Sequence, residues 1–207
     1  HGSFTPIVVS TAKSDRPLKT LKEAISYAKA RPGELKFALS VVGGSWWMAG
    51  MLLQANAKLV FKNIPQEGSG AVVITQLAGG HTDVGVSGLA TALSQIEAGN
   101  LHFLATFGRE RIPGKYGNVP TLIEAGYDIS WDSPNFFIGP PRMPKNITEI
   151  LAKAIEMEAN KPEFKKAALS MNATPVYQSS DQLIQFLDKQ KETAREILQK
   201  NGILKEK

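Results

Sequence analysis

Two patterns of apolar and polar positions alternate along the first half of the chain. Short apolar or β-branched runs predict strands at Phe4–Ser10, Leu35–Val42, Lys58–Lys62, Thr82–Val86 and Leu101–Thr106. Segments with helical spacing separate these runs, and the first of them opens with Thr20 and Glu23 in the spacing of a capping box. Strands that alternate with helices favour a parallel sheet covered by helices on both faces. The pattern therefore predicts an α/β fold.

The pattern changes after Arg109, where Pro and Gly become frequent as far as Pro144. This stretch predicts a short helix at Thr121–Ala125 and a strand at Phe136–Gly139. Three helical segments follow, with expected starts near Asn146 and Glu149, at Pro162, and at Ser179 with Gln182; Thr174–Tyr177 predicts an edge strand. We interpret the change as a boundary between an α/β lobe at 4–133, a crossing strand or hinge at 134–139, and part of a second lobe at 140–207.

Composition narrows the class of protein. The 207 residues are 43% hydrophobic and 21% charged, so a sizeable core can form, with roughly 70% of the unfolded surface buried. Cysteine is absent, which excludes disulfides, thiolate metal sites and cysteine nucleophiles. The net charge of +5 is scattered rather than concentrated, which disfavours nucleic-acid binding and favours a mild attraction for small anions. We see neither a targeting segment nor an apolar run long enough for a membrane span.

Three glycine-rich turns each follow a predicted strand and open a predicted helix. They are Gly43-Gly44-Ser45, Gly68-Ser69-Gly70 and Gly85-Val86-Ser87-Gly88. Ligands of open α/β sheets bind beyond the carboxyl ends of the strands, where the first N–H groups of a helix hold anions. Glycine can also serve a tight turn alone, but three such turns on one edge favour a ligand site. None of them fits a nucleotide phosphate motif.

Candidate catalytic residues are few. His81 and His102 have the settings of a surface and a structural histidine, and metal-binding or triad motifs are missing, so we predict no catalytic residue, no metal and no cofactor. Only Ser87 and Asp83 stand where an α/β enzyme acting on a small organic acid would need a nucleophile or a base. Trp46-Trp47 follows the first glycine turn, and its rings either pack in the core or form a wall of a ligand pocket.

Longer motifs extend through most of the chain. These are Pro17–Thr20, Lys29–Gly33, Gly43–Ala49, Pro65–Ser69, Gly79–Val84, Glu97–Leu101, Arg109 and Val119–Gly126. With them, the chain from about Pro17 to Gly202 resembles the periplasmic solute receptors of tripartite tricarboxylate transporters, also called Bug receptors. Val119–Gly126 is the most specific of these motifs.

The resemblance implies a type II periplasmic-binding-protein fold of two α/β lobes that close on a ligand. Residues 4–133 would then be the complete second lobe, with a parallel-rich sheet flanked by helices, and 140–207 the C-terminal helical portion of the first. The segment that opens the first lobe and supplies half of the carboxylate site has no counterpart here. We therefore expect a fragment whose uncovered apolar faces, at Leu183, Phe186, Leu187, Ile197 and Leu198, favour self-association.

The implied function is capture of a small organic carboxylate, outside the cytoplasm, for delivery to a membrane permease. A signalling receptor of the same fold is an alternative. The expected ligand contacts are Gly43, Gly44, Ser45, Trp47, Gly68, Ser69, Gly70 and Ser87. We also expect that Val at Gly44 or Gly68 prevents binding, because a Cβ blocks close backbone approach and disfavours a positive φ.

Several positions depart from the family pattern. Trp47 stands where the family usually has His, Gln66-Glu67 replaces Tyr-Lys, and Ser87 replaces a frequent Asp. These replacements predict a mono- or dicarboxylate with an apolar or aromatic part, preferred over citrate.

Overall fold

The computed structural model describes residues 2–171, 173–202 and 204. Contacts divide the chain into two compact units. We call Thr5–Asp132 the α/β unit, and we call the described residues of 1–4 and 133–207 the helical unit. Residues 172, 203 and 205–207 of the predicted second segment lie outside the described residues. The assignment of these units to the lobes of a longer receptor, with a hinge at 134–139, stays a prediction.

The elements alternate in the α/β unit and are mainly helical in the other. In chain order they are β1 Gly2–Phe4, β2 Pro6–Thr11, α1 Leu21–Ala30, β3 Lys36–Leu39, α2 Ser45–Ala57, β4 Lys62–Pro65, α3 Gly70–Gly79, β5 Val84–Gly88, α4 Leu89–Glu97, β6 Leu101–Thr106, β7 Ser133–Pro134, α5 Lys145–Ala159, α6 Pro162–Ser170, β8 Thr174–Pro175 and α7 Ser180–Lys200. The α/β class predicted from the sequence is confirmed.

The α/β unit is built on a mixed sheet with the strand order β4-β3-β5-β2-β6. β3 runs parallel to β4 and β5, whereas β2 runs antiparallel to β5 and β6. The sheet is parallel-rich, as expected, with β2 as its antiparallel strand. Pro6, the first residue of β2, pairs with Gly88, the last residue of β5, so the two strands run in opposite directions.

The core of the α/β unit joins the sheet to α3 and α4. Its fully or almost fully buried members are Ile7, Val9, Ala38, Val73, Ile74, Leu77, Leu89, Ala92 and Leu101. α1 begins as predicted, because the Thr20 side chain accepts the Glu23 backbone N–H while the Glu23 carboxylate accepts the Thr20 N–H at 2.8 Å. Burial of this apolar surface stabilises the sheet against its helices.

Other local predictions were wrong. β4 begins only at Lys62, because α2 continues to Ala57 and ends at Lys58 with a φ of 52°. Thr121–Ala125 forms turns rather than a helix, although Thr121 and Glu124 exchange the hydrogen bonds of a capping box. The apolar run from Phe136 to Gly139 is not a strand; it lies outside any sheet and is exposed.

The helical unit contains a small antiparallel sheet, in the order β7-β1-β8, together with α5, α6 and α7. α7 begins with the predicted capping box of Ser179 and Gln182. α5 has Pro144 as its N-cap and no side-chain cap, so the start expected from Asn146 and Glu149 was wrong. None of the described helices is long and apolar enough to span a membrane.

The expected exposed face of α7 needs correction. Ile197 is buried, and Leu183, Phe186, Leu187 and Leu198 are half-buried. The exposed apolar side chains of the helical unit lie mostly elsewhere, on the 136–138 segment and on α5 and α6.

Candidate functional site

Three helices of the α/β unit begin at one edge of its sheet. α2, α3 and α4 follow the carboxyl ends of β3, β4 and β5, which are adjacent and parallel. The N-cap residues of these helices are Gly44, Ser69 and Gly88. Since the carboxyl ends of parallel strands meet at one edge, the positive ends of three helix dipoles face the same side.

Two of these helix starts lack a side-chain cap. Gly44 and Gly88 offer no side-chain oxygen to α2 and α4, whereas the Ser69 hydroxyl accepts the Ala71 backbone N–H at 3.3 Å in α3. The first N–H groups of an α-helix have no partner within the helix. The uncapped starts of α2 and α4 therefore present backbone donors suited to an anion.

Close packing joins the three helix starts. A Cβ built on Gly70 would lie 2.5 Å from Ser87 Oγ and 3.4 Å from Trp46 Cδ1, and one built on Gly88 would lie 3.4 Å from Trp46 Cζ2. The Trp46 indole of α2 thus lies against the first residue of α3 and the N-cap of α4. Glycine at position 70 is required by this close approach rather than by its φ.

Ser40 provides an unsatisfied hydroxyl beside the start of α2. It follows β3 directly, is 3% exposed, and its Oγ has no hydrogen-bond partner among the described residues. A Cβ built on Gly44 would lie 4.0 Å from this Oγ. Buried polar groups normally have a partner, so this hydroxyl is a second polar feature at the α2 start.

Trp131 fixes the hydroxyl at the first position of α2. Its indole Nε1–H donates to Ser45 Oγ at 3.0 Å, and its backbone N–H donates to the Phe107 carbonyl at 3.1 Å. A serine hydroxyl that accepts one hydrogen bond still has its own proton to donate. Ser45 can therefore add a side-chain donor to the backbone donors of α2.

The structure brings most of the predicted ligand contacts to this edge. Gly43, Gly44, Ser45, Gly68 and Ser69 are exposed or half-buried there. Gly43 and Gly68 have φ of 81° and 128°, as glycine turns require. Gly44 has a φ of −72°, so the positive-φ reason given for its substitution was wrong; a Cβ there would instead lie 3.1 Å from the Val41 carbonyl.

The other three predicted contacts lie deeper. Trp47 is 4% exposed and Ser87 and Gly70 are buried. The Ser87 hydroxyl donates to the Gly70 carbonyl at 3.3 Å, which ties the end of β5 to the start of α3. Direct contact of Trp47 or Ser87 with a ligand stays a prediction, and the burial of both side chains disfavours it. The tryptophan ring that is partly exposed at this edge is that of Trp46.

Sequence reasoning missed Ser40 and Trp131 at this edge, and of the Trp46-Trp47 pair it placed Trp47 rather than Trp46 among the ligand contacts. The sequence does not show which ring of the Trp46-Trp47 pair is buried, because α2 is apolar on nearly every face. Ser40 lies within the predicted strand Leu35–Val42, and a hydroxyl inside this mostly apolar run was the available signal. The contact of Trp131 with Ser45 spans 86 residues, so no local pattern carries it.

The residues weighed for catalysis do not assemble. Ser87 and Asp83 lie at opposite ends of β5, roughly 13 Å apart at the rise of a strand. Asp83 accepts hydrogen bonds from Arg16 Nη1 at 2.7 Å and from the Lys36 backbone N–H at 2.8 Å, which is a structural role. In the part of the chain that the structure describes, no cluster of three acidic or histidine side chains could hold a metal ion.

Two cavities lie elsewhere, one in each unit. The cavity of the helical unit, about 650 Å³, is lined mainly by apolar side chains such as Phe137, Ile138 and Leu151. The cavity of the α/β unit, about 600 Å³, is a groove between α1 and the 118–127 segment. Neither of these two cavities is lined by Gly43–Ser45 or by Gly68–Gly70.

The fold of this chain is similar to that of periplasmic proteins of known structure. MatC from Rhodopseudomonas palustris, solved with bound malate, has a TM-score of 0.76 at 18% identity, with 95% of this chain and 67% of that chain covered. An R. palustris protein solved with adipate has a TM-score of 0.72 at 21% identity, with 98% and 64% covered. These likenesses establish the periplasmic-binding-protein fold.

The family follows from the sequence comparisons. Residues 4–203 match the family model described as tripartite tricarboxylate transporter family receptor. Protein BugT of Bordetella pertussis is 30% identical over 190 residues, and a UPF0065 protein in the gbd 5' region of Cupriavidus necator is 28% identical over 192 residues. These alignments cover 91% and 93% of this chain but 56% and 58% of the relatives. The chain belongs to the tripartite tricarboxylate transporter receptor family.

Proposed function

We propose that this chain is the greater part of a periplasmic receptor that captures a small organic carboxylate and delivers it to a tripartite tricarboxylate-type permease. The observation that carries the proposal is the convergence of the α2, α3 and α4 starts around Trp46 at one sheet edge. Three positive helix ends suit a carboxylate and require no charged side chain. The proposed role is binding and release, without catalysis.

The proposed site is one wall of a cleft. Backbone N–H groups at the starts of α2 and α4, with the hydroxyls of Ser45 and Ser69, would hold one carboxylate of the ligand. Residues 4–133 would form the complete second lobe, 134–139 the hinge, and 140–207 the C-terminal part of the first lobe. The chain spans 56% and 58% of the two relatives, which agrees with a receptor whose other wall comes from a further segment.

We assign a ligand class from the side chains at the edge. The Trp46 ring offers an apolar surface beside the helix starts, and exposed Glu67 in the turn before α3 disfavours a second or third carboxylate close to it. A mono- or dicarboxylate with an apolar part therefore fits better than citrate. The proteins of similar fold solved with adipate and with malate hold dicarboxylates, which supports this class.

Thermal-shift measurements and calorimetry on the chain test the proposal. Adipate and malate should raise the melting temperature, because a ligand of the native state stabilises it by mass action, whereas adipamide and malamide should not. A benzoate-type acid should bind better than citrate. Equal shifts from an acid and its amide would contradict an anion site, and citrate as the best ligand would contradict the assigned class.

One substitution removes two proposed donors at a helix start. Ser45→Pro deletes the first N–H group of α2 together with the Ser45 hydroxyl, at a position where Pro suits helix geometry. Ser180→Pro makes the same change at the first position of α7 in the helical unit and is the matched control. We expect acid binding to be lost in Ser45→Pro and retained in Ser180→Pro. Retained binding in both would remove the α2 start from the site.

A further inference from the structure

A groove on the α/β unit combines unpaired positive charge with an apolar lining. It has a volume of about 600 Å³ and lies between α1 and the 118–127 segment, next to β6. Its lining shares no residue with the candidate ligand site described above. Lys19, Lys22 and Lys29 line it, and no Asp or Glu does.

The three lysines of the groove lie on or just before α1. Lys22, Ser26 and Lys29 follow one another at spacings of four and three residues, which places them on one helix face, and Lys19 precedes the helix start. All three lysines are exposed, and none forms an ion pair within the described part of the chain. A row of like charges without counter-charges attracts anions.

Two acidic side chains near the groove, Glu23 and Glu124, are already engaged. The Glu23 carboxylate of α1 accepts hydrogen bonds from the Thr20 backbone N–H and hydroxyl. The Glu124 carboxylate pairs with Arg111 Nε at 2.8 Å and accepts the Thr121 N–H at 2.9 Å. Burial lowers the pKa of nearby His102; the charge of Lys19 lowers it further, and the charge of Glu23 opposes this.

The remaining lining suits a protein segment. Buried Leu21, Ile25 and Leu104 contribute apolar surface, and the opposite wall carries Val119, Pro120 and Tyr127. The Lys29 ammonium lies 5.9 Å from the centre of the Tyr127 ring. β6 is the edge strand of its sheet and pairs with β2 on one side. On its other side, the described residues form a single β-bridge, between Thr106 and Thr121. An anionic membrane needs a flat or convex basic surface, whereas a groove beside an edge strand accommodates a peptide chain.

We propose that this groove docks an acidic, partly apolar segment of a partner protein. Acidic side chains of the segment would pair with Lys19, Lys22 and Lys29, and its apolar side chains would fill the space between α1 and Val119-Pro120. Charge pairs at the rim of such an interface guide association and choose the partner, while the buried apolar contacts hold it.

Fluorescence anisotropy with the whole chain tests the proposal. The probe is a labelled 12-residue peptide of alternating Glu and Leu, and its comparison is the same peptide with Gln in place of Glu. We expect the acidic peptide to bind, the Gln peptide to bind at least about tenfold more weakly, and added salt to weaken the acidic peptide. Equal binding of the two peptides, or no binding of either, would overturn the proposal.

Charge reversal locates the binding surface. The triple variant Lys19→Glu, Lys22→Glu and Lys29→Glu should lose at least about tenfold in affinity for the acidic peptide. The control is the triple variant Lys153→Glu, Lys165→Glu and Lys166→Glu. It changes the net charge by the same amount, at exposed lysines of the helical unit that form no ion pair within the described residues. Its affinity for the acidic peptide should stay within about twofold of the original at the same salt concentration. Unchanged unfolding midpoints confirm that both variants are folded. Equal losses in the two variants would show attraction by net charge alone and overturn the proposal.

A vesicle assay separates the protein partner from a membrane. Phosphatidylglycerol vesicles should not sediment the chain, or should do so equally for both triple variants. Sedimentation that depends on Lys19, Lys22 and Lys29, together with absent peptide binding, would reassign the groove to a lipid surface and overturn the proposal.

Discussion

The two units of this chain differ in how they use apolar residues. The α/β unit buries most of its large apolar side chains between a five-stranded sheet and its helices. The helical unit has only Ala159, Ala168, Ala173 and Ile197 as buried apolar residues among those described, while Phe137 is 77% and Ile138 84% exposed. Exposed apolar patches of this kind mark surfaces that another segment or chain covers. The comparison shows that the α/β unit has a core of large apolar side chains, whereas the helical unit leaves most of its large apolar side chains partly or largely exposed.

The largest expected contrast is between a buried leucine of the α/β unit and an exposed leucine of the helical unit. Leu77→Ala, at 0% exposure in the α/β unit, should lower the free energy of unfolding by about 2–5 kcal/mol, because it leaves a cavity. Leu169→Ala, at 52% exposure on α6, should change it by less than about 0.5 kcal/mol. Urea unfolding followed by far-ultraviolet circular dichroism makes the measurement, because both units contain helices and contribute to the signal. Similar losses in the two variants would contradict the difference between the units.

A second contrast uses glycines that are close to a neighbour in each unit. A Cβ at Gly70 would lie 2.5 Å from the buried Ser87 Oγ, whereas one at Gly139 would lie 2.7 Å from the flexible end of Met143. We expect Gly70→Ala to destabilise the protein by about 1–3 kcal/mol, because the site is tightly packed. Gly139→Ala should have an effect below about 0.5 kcal/mol. The double variant Gly70→Ala, Ser87→Ala should recover part of the loss, and an absence of recovery would show that Ser87 is not the obstacle.

Measurements of self-association test whether the helical unit presents an exposed apolar surface that binds other proteins. We expect sedimentation equilibrium of the chain to detect dimers or larger species, because apolar side chains such as Ile138 and Ile150 are exposed. Ile138→Lys with Ile150→Lys should shift the protein toward monomer. Val60→Lys, at a comparably exposed position of the α/β unit, is the control and should not. A chain that stays monomeric up to millimolar concentration would contradict the uncovered surface.

The smallest expected effect concerns pH and is confined to the α/β unit. Partial burial, with a smaller contribution from Lys19, lowers the pKa of His102 below its usual 6.5. The unfolded chain therefore binds this proton more readily, so stability is fully present above pH 6.5 and declines as the pH falls through the folded-state pKa. Urea unfolding by tryptophan fluorescence at pH 7.5 and 5.5 measures the decline. His102→Gln should reduce the decline, and an identical pH dependence in that variant would exclude His102 as the cause.

Sequence patterns predicted the features that local physics decides. The capping boxes at Thr20 and Ser179 and the bounds of β6 came from neighbouring residues alone. The direction of β2 depends on its pairing with Gly88, far along the chain, so no local pattern revealed it. Phe136–Gly139 has the apolar character of a strand but pairs with nothing in the described structure.

The candidate site was predictable in part, because some of its features depend on local sequence and others on contacts between distant residues. The turns at Gly43 and Gly68 could be predicted from the sequence, because a positive φ favours glycine. The choice between Trp46 and Trp47 depends on how α2 packs, and α2 is too uniformly apolar for its buried face to be read from sequence. The contact of Trp131 with Ser45 arises only from the return of the chain to the α/β unit.

The central claim is that the starts of α2, α3 and α4 hold a carboxylate. A ¹H–¹⁵N NMR titration of the chain with adipate tests it most directly, because it detects weak binding and identifies the amides involved. We predict concentration-dependent shifts of the amides of Ser45, Trp46, Ala71 and Leu89 and of the Trp131 indole N–H, with none from adipamide. Adipate shifts confined to other surfaces, such as the lysine groove beside α1, would contradict the claim.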